Sequence, residues 1–390
     1  MKNRLPLKGV TILEFSQYLS GPSAGLRLAD FGARVIKIER PETGDAGRKL
    51  AIKNMWAGSD SLLFNTINRN KESAVADLKN EDDRLFIQAL IKKADVITHN
   101  FRPGVMEKYG LGYNEVKKIN ASIIYASISG YGNTGPWKNL PGQDLLLQAV
   151  SGLAYTTGNH SDAPVPFGLS IGDYMAGSHL AQGILAALIR RHKTKQPALI
   201  EVSLLESILD FQFELLTTFY ANGIQPKRSE ISNGNPLLAP PYGIYKTKDG
   251  YIAIAMTNLD VLAHALDCDA ILLYEQEHVF IQRDAIKKLL ADHLATHITT
   301  YWLEKLHRQK IWAIQVLNWK QLRAEEAYKG LKTEQHVELN NGGSFITTRC
   351  PVKINGEYLF SAAKAPALGE HNQKIKQEIN STIKKIKSIA

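Results

Sequence analysis

Six short runs of β-branched and apolar residues recur within the first 203 residues of this chain, and helix-forming stretches lie between them. The runs are VTILEF (10–15), RVIKIE (34–39), SAVADL (73–78), DVIT (95–98), IIYASI (123–128) and ALIEVS (198–203). The first two frame a complete unit. Ser20-Gly21-Pro22-Ser23 marks a turn, 24–31 reads as a helix, Gly32 closes it and 34–39 resumes a strand. That is a βαβ unit. Further helices are expected over 81–93, near 114–119, after Asp173 and over 204–222. Strands alternating with helices pair in parallel, because each crossover returns the chain to the same end of the sheet. The pattern predicts an α/β fold with a doubly wound, mostly parallel open sheet of Rossmann-like type.

This large domain is expected to span 1–222. Residues 223–241 are rich in Gly, Pro, Asn and Ser and read as a linker. Tyr242–Tyr245, the turn Lys248-Asp249-Gly250 and Tyr251–Ala255 then predict a β-hairpin. With helices near 283–296 and 299–309, it makes a smaller α+β domain over 242–320. The remainder, 321–390, reads as turns and short strands returning to the large domain. It ends in KIKQEINSTIKKIKSIA, a solvated amphipathic helix.

Composition narrows the classes. The chain is 44% hydrophobic and 22% charged, which suits a soluble globular protein of more than one domain. Its two cysteines, Cys268 and Cys350, have no CxxC spacing. That excludes a disulfide framework and a cysteine-rich zinc site, and it fits a reducing cytoplasm. The N-terminus lacks an apolar signal core, and no apolar run reaches the roughly 18 residues of a membrane span. No histidine, His99, His179 and His371 included, has metal-ligand spacing, so no metal is expected. The net charge of +9 suits a polyanionic partner. Without a Lys/Arg block, a small polyanion is expected rather than nucleic acid.

The most informative stretch for chemistry is VPFGLSIGDYMAGSHLAQGILAALIRRH, starting at 165. A short strand is expected to run into Ser170-Ile171-Gly172, then Asp173, then a long helix of small residues. Asp before an apolar helical run is a standard N-cap. It is also a nucleophile that needs no base, since a free aspartate has a pKa of about 3.9. A helix N-terminus favours the ionised form, so the two readings are compatible.

Other candidates cluster where strands end. Arg40, Lys79, Arg102 and Lys108 sit at strand-to-helix junctions, the ligand-binding edge of an open α/β sheet. Asn100-Phe101-Arg102 sets an aromatic face beside an amide and a guanidinium, which suits a purine and its phosphates. Gly130-Tyr131-Gly132-Asn133-Thr134-Gly135-Pro136 offers backbone N–H groups to an oxyanion. Pro141-Gly142-Gln143-Asp144 leads the next helix, and Asp144 is either a cap or a second carboxylate. A nicotinamide site is disfavoured: Glu39 falls where a ribose-binding acid belongs, but the first turn is SGPSAG, not GxGxxG.

In order and spacing these segments resemble the family III CoA-transferases, a group that includes formyl-CoA transferase, L-carnitine CoA-transferase and alpha-methylacyl-CoA racemase. The resemblance runs through LPLKGVTILEFSQYLSGPSAGLRLADFGARVIKIERPETGD, NRNKESAVADLK, ADVITHNFRPGVMEKYGLGY, IIYASISGYGNTGP and PGQDLLLQAVSG to APALGEH at 365–371. It is dense over 5–215 and thin beyond. It implies a nucleophile at Asp173 that passes through an anhydride and an aspartyl-CoA thioester. It implies CoA contacts from Tyr18, Ser20, Arg40, Lys79, Asn100, Phe101, Lys108 and Tyr109, to which Arg102 is added from its position. Gln17, Gly130, Gly132, Gly135, Gln143 and Asp144 would line the acyl site or supply oxyanion donors. CoA would be a substrate, with no permanently bound cofactor. The partners implied are acyl-CoA, small carboxylic acids and a second copy in an interlocked homodimer, with no nucleic acid and no membrane. Three departures are informative. The racemase branch has His where this chain has Gln143, and an amide cannot exchange a proton at neutral pH. The family's DPRF-like segment and a run of consecutive glycines are also missing. An acyl-CoA racemase or isomerase, and a CoA-binding protein without turnover, are the alternatives.

Overall fold

The computed structural model describes residues 5–361 and 363–387. Two compact units are present. The first runs to Leu147, includes Ser170–Phe211 and resumes at Leu331; the second takes Gln148–Leu169 and Gln212–Gly330. Residues 148–169 and 212–222, expected in the large domain, therefore group with the second unit, which ends at Gly330 rather than 320.

In the first unit, β1 (Thr11–Glu14), β2 (Arg34–Glu39), β3 (Glu72–Val75), β4 (Val96–His99), β5 (Ile124–Ser129) and β6 (Ala198–Ser203) form one sheet. Their order is β3-β2-β1-β4-β5-β6, and every pairing is parallel. The order reverses between β1 and β4. Chain leaving those two strands diverges there and opens a crevice at their carboxyl ends.

Up to Phe211 the helices of this unit are α1 (Ser20–Asp30), α2 (Leu62–Asn68), α3 (Glu81–Ile91), α4 (Val105–Lys108), α5 (Tyr113–Ile119), α6 (Asp144–Val150), whose last three residues fall in the second unit, α7 (Ile171–Thr194) and α8 (Leu204–Phe211). Leu13, Ile36, Ala74, Ile97 and Tyr125 pack with Phe86 and Leu90 of α3 and Val116 of α5. The alternating residues Ile12, Val35, Val96 and Ile124 are equally buried, as expected of a parallel sheet covered on both faces. α1 and α7 pack on one another, and α7 lies against β5 and β6.

Several expectations fail locally. Residues 165–169 form no strand. The single helix expected over 204–222 breaks at Gln212, leaving α8 and α9 (Phe213–Asn222). The expected linker 223–241 is packed within the second unit. Arg228 donates to the carbonyls of Thr157 and Asp162, Arg283 to those of Lys227 and Pro236, and Lys287 to those of Ser232 and Tyr242. Three cations replace secondary structure in tying down a strap. The expected hairpin is present as β7 (Gly243–Lys246) and β8 (Tyr251–Ile254), extended by β9 (Ala313–Gln315). With α10 (Leu259–Leu266), α11 (Arg283–Leu294) and α12 (Thr299–Arg308) it encloses a core around Tyr245, Leu262, Leu290 and Trp302.

Beyond 320 the chain is more helical than expected, with α13 (Trp319–Ala324) and α14 (Glu326–Leu331); the expected terminal helix follows the β10–β11 hairpin (Glu334–Glu338, Ser344–Thr348) as α15 (Asn372–Lys387). α15 is not simply solvated, because its Ile375 and Ile379 are buried against the α3 core.

Candidate active site

α7 begins at Ile171, so Asp173 lies in its first turn and Ser170 takes the cap position without a side-chain bond. The expected N-cap role therefore falls to a distant residue. Asp144, buried at the start of α6, places Oδ1 3.0 Å from the Asp173 nitrogen and accepts its N–H. Gly172 makes room for this contact: a Cβ there would come within 3.0 Å of that oxygen and 2.7 Å of Ile208 Cδ1. Its contribution is space rather than a special turn.

The second contact to Asp173 comes from α1, where the Ser20 hydroxyl hydrogen-bonds the carboxylate. α1 can approach because α7 carries Gly177, whose Cβ would sit 2.2 Å from Ser23 Oγ and 2.6 Å from the Ser20 carbonyl oxygen. Burial, then the Asp144 charge, push the Asp173 carboxyl up to about 6, with the Ser20 hydrogen bond opposing them. The acidity expected of a free aspartate does not hold, because loss of water outweighs the helix N-terminus. Asp173 still carries its charge through most molecules at pH 7.

Gln17 and Tyr18 lie on the loop that joins β1 to α1, and Ser20 opens α1. Asn100 grips this loop: its Oδ1 accepts the Gln17 N–H at 2.8 Å, and its Nδ2 donates to the Gln17 carbonyl at 2.7 Å and to Ser20 Oγ at 3.2 Å. Expected as an adenine contact, the Asn100 amide is thus engaged in the loop that reaches Asp173. Tyr18 adopts a left-handed conformation, φ 61°, with its N–H on Asp45 Oδ1.

A cleft of about 520 Å³ opens at the same end of the sheet. Gln17, Arg40, Lys79, Phe101 and Tyr109 line it. Arg40 and Lys79 are exposed. Phe101 stacks on the buried ring of His99, with centroids 6.0 Å apart. Burial pushes His99 down to about 4, so that ring is neutral. Arg102 and Lys108 are exposed and lie outside the lining of the cleft. The junction of this loop with α1 bridges the two features: Gln17 faces the cleft and Ser20 meets Asp173.

The 130–142 loop closes on itself. A Cβ on Gly130 would stand 2.7 Å from Gly142 Cα, so only two glycines allow the backbones to touch. Gly132 and Gly135 have φ of 89° and 79°, a region side chains disfavour. The Gly132 N–H is taken by Ser129 Oγ at 3.0 Å, which removes it from the expected oxyanion donors. Gln143 is exposed and ends the loop just before Asp144.

Sequence reasoning missed the charges beneath the β1–α1 loop. Lys37 Nζ, fully buried, contacts Glu14 Oε1 at 3.1 Å and Asp45 Oδ2 at 2.8 Å, and donates to the Ser16 carbonyl at 2.7 Å. Lys71 Nζ holds both Glu14 oxygens at 2.9 Å and the Pro22 carbonyl at 2.8 Å. Glu39, which falls at the ribose-acid position, is bound through both oxygens to Arg48 and accepts from Ser73. No carboxylate is left there for a ribose. The available signal was Glu14 and Lys37 inside otherwise apolar strand runs.

The chain matches CoA-transferase family III over residues 7–372. It is 34% identical to the acetyl-CoA:oxalate CoA-transferase of Acetobacter aceti, covering 97% of this chain and 96% of that protein. It is 31% identical to the human succinyl-CoA:glutarate CoA-transferase, covering 97% and 87%. A CaiB/BaiF family protein from Brucella suis superposes with a TM-score of 0.82 at 28% identity, covering 96% of this chain and 99% of that one. The protein belongs to CoA-transferase family III, and it is a CoA-transferase.

Proposed function

We propose that this enzyme moves CoA from an acyl-CoA to a small carboxylic acid with Asp173 as the covalent carrier. The observation that carries the reading is the Asp173 carboxylate, met by Ser20 and backed by Asp144, at the end of the loop whose Gln17 lines the cleft.

An Asp173 oxygen attacks the thioester carbonyl. The C–S bond breaks with its electron pair on sulfur, giving CoA thiolate and a mixed anhydride. The thiolate then attacks Cγ of Asp173, the anhydride C–O bond breaks, and the first acid leaves as its carboxylate. Asp173 now holds CoA as a thioester. The acceptor carboxylate attacks Cγ and expels the thiolate, forming a second anhydride. Attack of the thiolate on the acceptor-derived carbonyl completes the new acyl-CoA and frees Asp173. No proton is gained or lost, because thiolate leaves without a general acid. Free N–H groups of the 130–135 loop would serve the oxyanions. Arg40 and Lys79 would meet phosphates and Phe101 the adenine.

Oxalate and glutarate, named for the two relatives, are dicarboxylic acids, and we take a dicarboxylate as the acceptor here. Family membership also supports an interlocked homodimer, and buried free Cys268 and Cys350 fit a cytoplasmic setting. The test is mass spectrometry of CoA exchange, with acetyl- or succinyl-CoA and a panel of carboxylates. New acyl-CoA species with wild type, and none with Asp173→Ala, are expected. Equal exchange by both would overturn the role of Asp173.

A further inference from the structure

Asp144 is a buried carboxylate that the reaction above does not use. It sits on α6, and its Oδ1 is fixed 3.0 Å from the Asp173 nitrogen. Gly172 is required for that placement, since a Cβ there would press on the same oxygen. A buried acid held against the nucleophile is an unusual way to cap a helix, because the like charge works against the carboxylate it supports. An asparagine would accept the same N–H without the charge.

Acids on the neighbouring elements are engaged elsewhere. α1 brings the neutral Ser20 hydroxyl and has no acid in its first turn. On α8, Glu206 is bonded to Ser203 Oγ, and Asp210 faces His179 of α7. Glu201, on β6, is bonded to Asn133.

We propose that Asp144 is a positioning residue that also acts electrostatically. Fixed on the Asp173 N–H, its negative charge makes Asp173 a stronger nucleophile than an aspartate alone. This rests on the carrier role of Asp173 given above. The chemical reason lies in the anhydride. Alkyl carboxylic acids are weaker acids than an aspartate side chain. An aspartate made more basic attacks the thioester faster and leaves the anhydride less readily, so thiolate partitions more evenly between the two carbonyls. The upward displacement of Asp173 to about 6 has Asp144 as its second cause after burial.

The test compares wild type with Asp144→Asn, which keeps an acceptor for the Asp173 N–H. Asp144→Ser, with a shorter acceptor, replaces it if the asparagine protein does not fold. Two readouts are taken. Protein labelled with carbon-13 at the aspartate carboxyls gives the titration of Asp173 directly, assigned by loss of the signal in Asp173→Asn. The pH profile of kcat/KM is measured for acetyl-CoA with oxalate and for succinyl-CoA with glutarate. In wild type the Asp173 signal and the acid limb should both fall near pH 6. In Asp144→Asn both should move down by about one pH unit, the size of effect a nearby charge exerts, and kcat should fall with KM for acyl-CoA little changed. A loss of cap strength alone would lower the melting temperature and leave the titration in place. An unmoved Asp173 titration overturns the proposal. A shifted titration in a protein that exchanges neither substrate pair would instead leave the Asp144 effect standing and count against the carrier reading.

Discussion

At the scale of single residues, the environment of Asp173 predicts a cost in stability. Its folded-state pKa lies above that of an unfolded aspartate, so the folded state binds the proton more tightly. Stability from this group is present below about pH 4 and is lost as pH rises toward 6. At about 1.4 kcal/mol per pKa unit, the loss is at most about 3 kcal/mol at neutral pH, less what solvent at this partly exposed site recovers. Asp173→Asn should therefore raise the melting temperature at pH 7.5, leave it unchanged at pH 3.5, and abolish exchange. A calorimetric comparison at the two pH values checks this. Asp173, Asp144 and the cleft residues Arg40, Lys79 and Phe101 were legible because each sits at a strand end or a helix start in the sequence. The identity of the group that holds Asp173 was not. Asp144 and Asp173 are 29 residues apart, and nothing local signals that one caps the other's helix.

At the scale of elements, close approach is the controlling feature. α1 and α7 meet across Gly177, and the two ends of the 130–142 loop meet across Gly130 and Gly142. Gly177→Ala should push the Ser20 carbonyl and Ser23 away from α7 and separate Ser20 from Asp173. The expected result is a fall in kcat larger than any change in KM for acyl-CoA, with a stability loss of about 1–3 kcal/mol. Gly142→Ala should be similarly damaging through its contact with the Gly130 backbone. Gly330→Ala is the matched control: nothing lies within 4 Å of its Cβ position, and it sits inside α14. That change should be neutral or stabilising by up to about 1 kcal/mol. The strands and most helices were legible from β-branched runs and turn residues. The break at Gln212 and the packed strap 223–241 were not: the Gln212 amide reaches the Ser151 carbonyl, and the strap is held by Arg283 and Lys287, partners distant in sequence. Gly, Pro, Asn and Ser mark irregular backbone, but they do not say whether it is loose or tied down.

At the scale of the molecule, buried charge rather than apolar packing holds the β1–α1 loop in place. Glu39 and Asp45 lie below the usual carboxylate range; burial opposes this, while Arg48 and Lys37 more than offset it. A depressed folded-state pKa gives stability that is present above the unfolded value and lost as pH falls through the folded one. Acid unfolding should therefore set in below about pH 4, opposite in sign to the contribution of Asp173. Glu39→Gln should be less stable than wild type at pH 7 and should lose less between pH 5 and pH 3, as thermal melts across that range would reveal. The same network reaches the C-terminal segment, where Arg48 donates to the Pro366 carbonyl. That segment also covers the edge of β3: His371 N–H donates to the Ser73 carbonyl, and Asn372 Oδ1 accepts the Val75 N–H. The return of the chain to the large domain was expected, but the strand edge it covers was not, since local composition names no partner for it. The most direct measurement of the carrier role is peptide mass spectrometry of the enzyme incubated with acyl-CoA and no acceptor, quenched in acid. A covalent Asp173 predicts a peptide containing that residue heavier by CoA less one water, removed by hydroxylamine and absent from Asp173→Asn. An adduct on another residue, or acyl exchange at wild-type rate without any adduct, would contradict it.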